Sequence, residues 1–201
     1  MGSSLILLLT ISIGGIVTVS LGSRVRREIL LKNRAMAVLL AVHLTSDLGN
    51  FEGVVKALSN SCGIAPELLA PTPQNLARAN ATLDRYNSAV HASVSYLMDK
   101  TGLTIASSNR DAPDSFVGKS YRFRSYFREA IRGRPGLYFA VGVTSLKRGF
   151  YASYPVRGPD NAIVGVVVMK SDLDQLQSIF SRRPYCFLVS PQGIIFLSSR
   201  P

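Results

Sequence analysis

The chain has 201 residues, of which 47% are hydrophobic and 17% are charged, and its formal net charge is +11. This length accommodates one complete domain and an attachment segment, and the apolar content excludes global disorder. The basic residues are spread along the chain and form no stripe with interleaved aromatic residues, so we expect no nucleic-acid partner. An anionic membrane surface or an anionic small molecule remains as the partner of so basic a chain.

No sequence motif indicates catalysis or a metal site. The chain lacks the G-x-S-x-G, P-loop and H-E-x-x-H patterns. Its two histidines, His43 and His91, and its two cysteines, Cys62 and Cys186, do not have the spacing of a four-ligand zinc site. We therefore predict no catalytic residue, no metal and no cofactor. We expect two separate, partly buried thiols, with a disulfide as the alternative.

An apolar run without charged residues covers positions 5–21. It lies at the short end of the roughly 17–25 residues that span a bilayer as a helix, and its uncharged flanks extend it. We predict a transmembrane anchor over residues 1–23, with a cleaved signal peptide and a buried core helix as alternatives. Basic residues follow the run and none precedes it. The positive-inside rule alone would place the following residues in the cytoplasm, so the orientation stays open.

Residues 24–59 carry apolar side chains at helical spacing, with a weak point at Gly49-Asn50. A helix continuous with the membrane span would project as a rigid stalk. A loop rich in Pro and Gly over 61–73 precedes a second predicted helix at about 74–91. Residues 24–91 are therefore predicted to form a stalk and helical segment.

From residue 92 onward the apolar pattern is typical of strands, with two short helices between them. The predicted strands are 94–98, 103–107, 137–143, 149–156 and 162–170, and the predicted helices are 124–131 and 172–180. Because short turns join the last three strands, we expect an antiparallel sheet. The predicted fold class is α+β.

A second strand-turn-strand unit near the end of the chain resembles the first one. YLMDKTGLTIASS at 96–108 parallels FLVSPQGIIFLSS at 187–199, and each has a turn ending in Gly and a final Ser-Ser pair. The predicted strands of this second unit are 185–189 and 194–197, joined by a turn at 190–193. We interpret the pair as an internal repeat whose second copy stops just after it starts. Since an isolated hairpin is marginally stable in water, residues 181–201 are expected to pack on something or to be poorly ordered.

Four motifs occur in an order that matches a known family. They are SFVGKSYRFRSYF at 115–127, GVTS at 142–145, RGFYASYPV at 148–156 and GVVVMK at 165–170. Together they resemble the double Cache (tandem PAS-like) extracytoplasmic sensor domain, and they are most similar to that of the C4-dicarboxylate sensor histidine kinases. The resemblance covers about residues 24–201.

The resemblance implies an architecture in which a transmembrane helix and a long stalk helix precede two PAS-like subdomains. Residues 92–180 would form the membrane-distal, ligand-binding subdomain, and residues 181–201 the start of a membrane-proximal subdomain that is truncated here. It also implies an inner-membrane protein with its sensor domain in the periplasm, a homodimer through the stalk helix, and a histidine kinase in a full-length relative. The implied ligand is a small carboxylate such as a C4-dicarboxylate.

The stretch 121–170 places cationic and hydroxyl side chains inside runs that are otherwise typical of buried strands. A buried anionic ligand requires such groups, because an unpaired buried charge is very costly. Arg124 offers a planar fork for a carboxylate, and Lys170 offers a point charge. By resemblance, the residues that hold the ligand are Tyr121, Arg124, Thr144 and Lys170, with Tyr126, Ser145 and Tyr151 as secondary candidates. The other residues of the stretch are assigned to the core, for Phe123 and Phe127, or to a solvated face, for Arg122, Arg128, Arg132 and Arg134.

Two further functions stay open for this scaffold. One is a sensor of another small molecule, such as an amino acid, in a chemoreceptor or a cyclase. The other is a ligand-free module that only dimerises. An amino acid needs an acidic partner for its ammonium group, and the acids within 121–170 are Glu129 and Asp160. Their scarcity favours a carboxylate ligand.

Overall fold

The computed structural model describes residues 2–181, 186–189 and 193–199. Its first helix, α1, runs from Gly2 to Ser59 without interruption. The predicted weak point at Gly49-Asn50 was therefore wrong. A glycine inside a helix costs only about 1 kcal/mol, and the turns that follow it bury Phe51, Val55 and Leu58. This packing outweighs the local preference.

The chain forms two compact units, Met1–Gly49 and Asn50–Pro201. Within the described residues, one helix is long and apolar enough to cross a membrane, and none of its apolar window is buried. A signal sequence near an N-terminus has the same length and composition. This candidate span is Val17–Ser59, and exposed apolar side chains, among them Leu30, Val38 and Leu39, lie along it.

Two further helices follow α1, and the first was missed because it contains Pro66 and is flanked by Gly63 and Pro71. Helix α2 covers Ile64–Leu69, inside the segment that the sequence predicts to be a loop. Helix α3 covers Pro73–Ala89, close to its predicted range. The side chain of Thr72 caps α3 by accepting a hydrogen bond from the backbone N–H of Asn75 at 3.3 Å, and proline at the first helical position needs no such partner.

Five antiparallel strands form the central sheet in the order β2-β1-β5-β4-β3. Their bounds are β1 Val94–Asp99, β2 Thr104–Ser107, β3 Gly136–Val141, β4 Arg148–Arg157 and β5 Ile163–Asp172. Each lies within two residues of its predicted range, and the predicted antiparallel pairing is confirmed. The central position belongs to β5, which pairs with both β1 and β4.

The end of α1 and helices α2 and α3 cover one face of this sheet. The ring of Phe51 meets that of Phe150 at 5.9 Å, and the Ser95 hydroxyl donates to the carbonyl of Leu83 at 3.0 Å. Because successive side chains of a strand point to opposite faces, Met169 of β5 faces the helices as well. We call this side, with Leu97, Ala152, Val167 and Met169, the helix-covered face.

The opposite face is covered by the loop after β2 and by helix α4, Ser125–Ala130. Tyr96, Tyr151, Val166 and Val168 belong to one buried cluster with aromatic residues of that loop and helix. By register, Lys170 lies opposite Val94 on one side and Tyr151 on the other. We call this side the pocket face.

Helix α5, Asp174–Ser181, and a two-stranded sheet of β6, Phe187–Val189, and β7, Ile195–Ser198, follow the central sheet. The hairpin packs as expected: Arg148 donates to the carbonyl of Phe196 at 2.7 Å, and the ring of Phe196 lies 5.5 Å from that of Phe139. The predicted strand start at 185 and the turn residues 190–192 lie outside the described residues, as do 200–201.

Two expectations about burial were wrong, those for Phe123 and for Cys62, which were both predicted to be at least partly buried. Phe123 is 56% exposed, whereas Phe127 is buried as predicted. Phe123 lies just before helix α4, where its ring lies beside the Arg124 guanidinium at 5.5 Å. Cys62 is exposed and Cys186 is half-buried, and both are free thiols.

Candidate functional site

The seven predicted site residues lie together on the pocket face, in a connected set of contacts. Tyr121 precedes helix α4, Arg124 is its N-cap residue and Tyr126 lies in its first turn. Thr144 and Ser145 lie in the loop between β3 and β4. The predicted set is completed by Tyr151 of β4 and Lys170 of β5. The contacts between them are described in turn below.

Lys170 is the most deeply buried cation of the site, with 1% of its side chain exposed. Its ammonium donates to the Ser145 hydroxyl at 3.1 Å and forms an ion pair with the carboxylate of Asp172. A lysine ammonium has three donors, so one remains available after these two partners. Lys170 can therefore bind a further acceptor without losing either contact.

Arg124 is half-buried and reaches the site from the start of helix α4. One terminal nitrogen donates to the carbonyl of Val141 at 2.7 Å, and its guanidinium lies 6.0 Å from the centre of the Tyr151 ring. Its Nε is buried, yet no hydrogen-bond partner for it exists among the residues that the structure describes. A buried donor without an acceptor is costly, so this edge of the guanidinium is suited to receive one.

Four tyrosines line the pocket face. The Tyr121 hydroxyl and the Thr144 hydroxyl are 2.8 Å apart, and Tyr96 donates to the Tyr126 hydroxyl at 2.7 Å. The rings of Tyr126 and Tyr151 are stacked at 5.1 Å with an interplanar angle of 5°. Burial raises the pKa of Tyr151 to about 12 and raises the pKa of Tyr96, Tyr121 and Tyr126 as well. These hydroxyls therefore stay protonated at neutral pH. The Tyr96 proton is used in its hydrogen bond to Tyr126, so the hydroxyls of Tyr121, Tyr126 and Tyr151 are the ones that can donate to an anion.

Two glycines allow the backbone to approach the site closely. A Cβ at Gly142 would lie 2.5 Å from the Ser145 hydroxyl oxygen and 2.9 Å from that of Tyr151. A Cβ at Gly149 would lie 2.8 Å from Cε of Lys170. All three distances are shorter than a normal contact, so a larger residue at either position would displace a site side chain.

Sequence reasoning missed two residues of the site, Tyr96 and Asp172. Asp172 also corrects the argument that the acids near the site are only Glu129 and Asp160, because its carboxylate contacts the Lys170 ammonium. The strand period of two was the available signal, since residues 170 and 172 share a face. Tyr96 is distant in sequence and meets the site only through the pairing of β1 with β5.

The surface arginines behave as predicted: the side chains of Arg122, Arg128, Arg132 and Arg134 are exposed. The exposed Arg134 guanidinium donates a hydrogen bond to the carboxylate of Glu129 at 2.8 Å. Among the described residues, no group of three or more His, Cys, Asp or Glu side chains could hold a metal ion. The chemistry of the site is therefore that of charged and hydroxyl groups that contact one another on the pocket face.

An antiparallel sheet with helices on one face and a polar, aromatic pocket under a loop on the other is the architecture of Cache-type sensor domains. The ligand-binding domain of the Pseudomonas aeruginosa amino-acid chemoreceptor PctC, in complex with GABA, has this fold. It aligns with a TM-score of 0.62 at 23% identity, over 81% of this chain and 73% of that one. No protein-family model matches the chain.

The sensor domain of the Vibrio cholerae histidine kinase DctB aligns with a TM-score of 0.81 at 30% identity, covering 87% of this chain and 68% of that chain. The C4-dicarboxylate transport sensor protein DctB of Rhizobium meliloti is 36% identical over 146 residues, which is 72% of this chain. The chain belongs to the family of DctB sensor domains. It spans 23% to 28% of the length of the curated relatives it matches.

Proposed function

We propose that this chain is the extracytoplasmic ligand-sensing region of a membrane receptor of the sensor histidine kinase type, and that it binds a small carboxylate such as a C4-dicarboxylate. The pocket face combines two cations, four neutral tyrosine hydroxyls and two further hydroxyls around one volume. The relatives named above carry the C4-dicarboxylate function in their names. The ligand residues proposed are the seven predicted from the sequence, with Tyr96 and Asp172 as additional members.

The observation that carries this proposal is the unsatisfied donor capacity of the two cations. The Nε of Arg124 is buried without a hydrogen-bond partner within the described part of the chain, and Lys170 has one ammonium donor beyond its two partners. Charge-assisted hydrogen bonds from such groups to carboxylates are about twice as strong as neutral ones. A ligand with two carboxylates would satisfy both cations.

Arg124 and Lys170 reach the site from different elements, which suits a ligand with two separated negative ends. Arg124 belongs to the start of helix α4, and Lys170 belongs to the central strand. Tyr151 lies between them, since Arg124 approaches its ring and Lys170 is its cross-strand partner. The stacked rings of Tyr126 and Tyr151 would bound the apolar middle of a four-carbon ligand.

A sensor of an amino acid is the second candidate, and Asp172 is the observation that favours it. An amino acid carries an ammonium group, and the Asp172 carboxylate at the site is a partner for it. The chemoreceptor domain described with GABA shows that the fold accommodates such a ligand. The cations at the site outnumber this single carboxylate, which is why the dicarboxylate stands first.

The wider receptor is part of the same proposal. Residues 1–23 would anchor the chain in the inner membrane, 24–91 would form the stalk and helical segment, 92–180 would form the periplasmic binding subdomain, and 181–201 would begin a second subdomain. The exposed apolar side chains of α1, including Leu30, Val38 and Leu39, would pair two copies through the stalk. The kinase activity would belong to the part of a full-length relative that this chain does not span.

Isothermal titration of the full chain in detergent tests the binding function. The ligands are succinate, malate, fumarate, acetate and L-alanine. We expect heat with the dicarboxylates and a much weaker signal with acetate. A thermal shift with each ligand provides the second readout, because a ligand that binds only the folded state raises its stability.

The matched variants are Arg124→Ala and Arg128→Ala. The two arginines lie four residues apart, at the N-cap of α4 and within that helix. Arg124 faces the site, whereas Arg128 is exposed on α4. We expect Arg124→Ala to abolish dicarboxylate binding and Arg128→Ala to preserve it. Absence of heat and of thermal shift with every ligand, for the wild-type chain, would refute the proposal.

A further inference from the structure

Lys170 has a carboxylate partner within the chain itself. Its ammonium forms an ion pair with the carboxylate of Asp172, two residues along the same strand. Lys170 is 1% exposed and Asp172 is 21% exposed. A buried ammonium without a counter-ion is very costly, so Asp172 is the group that makes the burial of Lys170 possible.

Several contacts hold Asp172 in place beside Lys170. Its backbone N–H donates to the Ser93 hydroxyl at 2.8 Å, and it pairs with Gly149 across the sheet. Its second carboxylate oxygen lies 3.9 Å from the ammonium of Lys147, whose side chain is 61% exposed. The carboxylate thus stands between a buried lysine and an exposed one, at the point where β5 leads into α5.

We propose that Asp172 is an internal carboxylate that shares Lys170 with the ligand, and that it thereby stabilises the ligand-free fold and lowers the affinity for dianions. This inference rests on the proposed function, because it concerns the same ligand. A ligand carboxylate on the free donor of Lys170 lies close to the Asp172 carboxylate. Like charges at such a distance repel in the partly desolvated interior.

The charges of the site also indicate which class of ligand Asp172 favours. The two cations of the site, Arg124 and Lys170, together with the exposed ammonium of Lys147 beside Asp172, outnumber its one carboxylate, and this excess of positive charge favours a ligand with two carboxylates. A zwitterionic ligand would gain from Asp172 through its ammonium group. Removal of the Asp172 charge therefore has opposite consequences for the two classes, which makes Asp172 a specificity-determining residue.

The test is Asp172→Asn in the full chain, with Asp174→Asn as the matched control. Both variants remove one negative charge, but Asp174 is exposed in the first turn of α5. The ligands are succinate and L-alanine, and the readouts are the dissociation constant by titration calorimetry and the melting temperature with and without ligand. The asparagine keeps the size of the side chain, so the strand is not disturbed.

We expect Asp172→Asn to bind succinate about tenfold more tightly than the wild-type chain, from the lost repulsion between neighbouring carboxylates. It should also melt at a lower temperature without ligand and gain more from saturating succinate. Asp174→Asn should keep the wild-type affinity, because its charge is exposed and screened.

Two results would overturn the inference while the proposed function stands. One is an unchanged or weaker affinity of Asp172→Asn for succinate when the wild-type chain binds it. The other is an equal gain in affinity in Asp174→Asn, which would assign the effect to long-range charge alone. Binding of L-alanine but not of succinate by the wild-type chain, with L-alanine binding lost in Asp172→Asn, would instead overturn the proposed dicarboxylate function in favour of an amino-acid sensor. If neither variant nor the wild-type chain binds any dicarboxylate, the proposed function itself fails.

Discussion

The two faces of the central sheet are built from the same strands and are equally buried, yet they differ in chemistry. Met169 faces the helices and is fully buried, and Lys170, the next residue, faces the pocket with 1% exposed. On the helix-covered face most buried side chains are apolar and need only shape complementarity, although the buried Ser95 hydroxyl donates to the carbonyl of Leu83. On the pocket face each buried polar group needs a partner. Adjacent residues of one strand thus contribute a core side chain on one face and a candidate ligand-binding group on the other.

The largest expected effect is on stability, through the helix-covered face. Met169→Ala removes a fully buried side chain and should lower the free energy of unfolding by roughly 2–5 kcal/mol, because a cavity remains. The affinity for succinate, measured well below the melting temperature, should stay unchanged. Thermal unfolding and titration calorimetry on the same sample separate the two quantities. A large loss of affinity in the folded variant would mean that the two faces are not independent.

The reverse result is expected for the neighbouring residue. Lys170→Met replaces the buried ammonium by an apolar chain of similar length and should weaken succinate binding about a hundredfold, since truncating one member of a buried charged pair costs roughly 2–5 kcal/mol. The loss of stability should be smaller than in Met169→Ala, because Asp172 remains partly exposed with Lys147 near it. Calorimetric titration measures the affinity. Wild-type affinity in this variant would remove Lys170 from the site.

A glycine on the pocket face gives a smaller effect. The Cβ of Gly149→Ala would lie 2.8 Å from Cε of Lys170 and 3.0 Å from the Ser171 carbonyl oxygen. Such overpacking costs roughly 1–3 kcal/mol, and the displaced lysine should also bind succinate less tightly. Gly53→Ala is the control, since a Cβ there meets nothing within 4 Å. Equal behaviour of the two variants in unfolding and in titration would show that Gly149 does not hold Lys170 in position.

The smallest effect is a pH dependence that belongs to the pocket face. Burial raises the pKa of Tyr151 to about 12, above the value of about 10 in an unfolded chain. Because the folded state then keeps a proton that the unfolded state releases, this contribution to stability is complete below pH 10 and is lost as the pH rises toward 12. Melting temperatures measured across that window should fall with pH, and less steeply in Tyr151→Phe. Identical slopes would show that Tyr151 ionises as readily in the folded chain.

Much of the fold was predictable because its signals are local. The nearly continuous apolar runs in 149–156 and 162–170, separated by a turn with Gly and Pro, indicated two antiparallel strands close to their observed bounds. Helix α2 was not predictable, because Pro66 and its neighbours read as a loop. The strand order was also out of reach, since β1 pairs with β5 across a long stretch of chain.

The candidate site divides in the same way. Arg124 and Lys170 stood out as cations inside apolar runs, and the family motifs drew attention to the hydroxyl residues around them. Asp172 was missed because the predicted strand ended at 170 and residue 172 was assigned to the following helix, whereas β5 continues to Asp172 and its period of two places this residue beside Lys170. The Tyr96–Tyr126 hydroxyl pair had no local signal, because its members come from β1 and α4.

By itself the sequence determined the five strands of the central sheet and most of the helices, and it predicted the candidate pocket stretch and an anionic ligand, because periodicity, turn residues and buried cations are properties of short segments. Only the tertiary structure decided which groups meet. The ion pair of Lys170 with Asp172, the hydrogen bond of Lys170 to Ser145 and the unpartnered Nε of Arg124 depend on how strands, loop and helix pack. Recognition depends on those distances, and a distance between segments that are remote in sequence is set only when the whole sheet has formed.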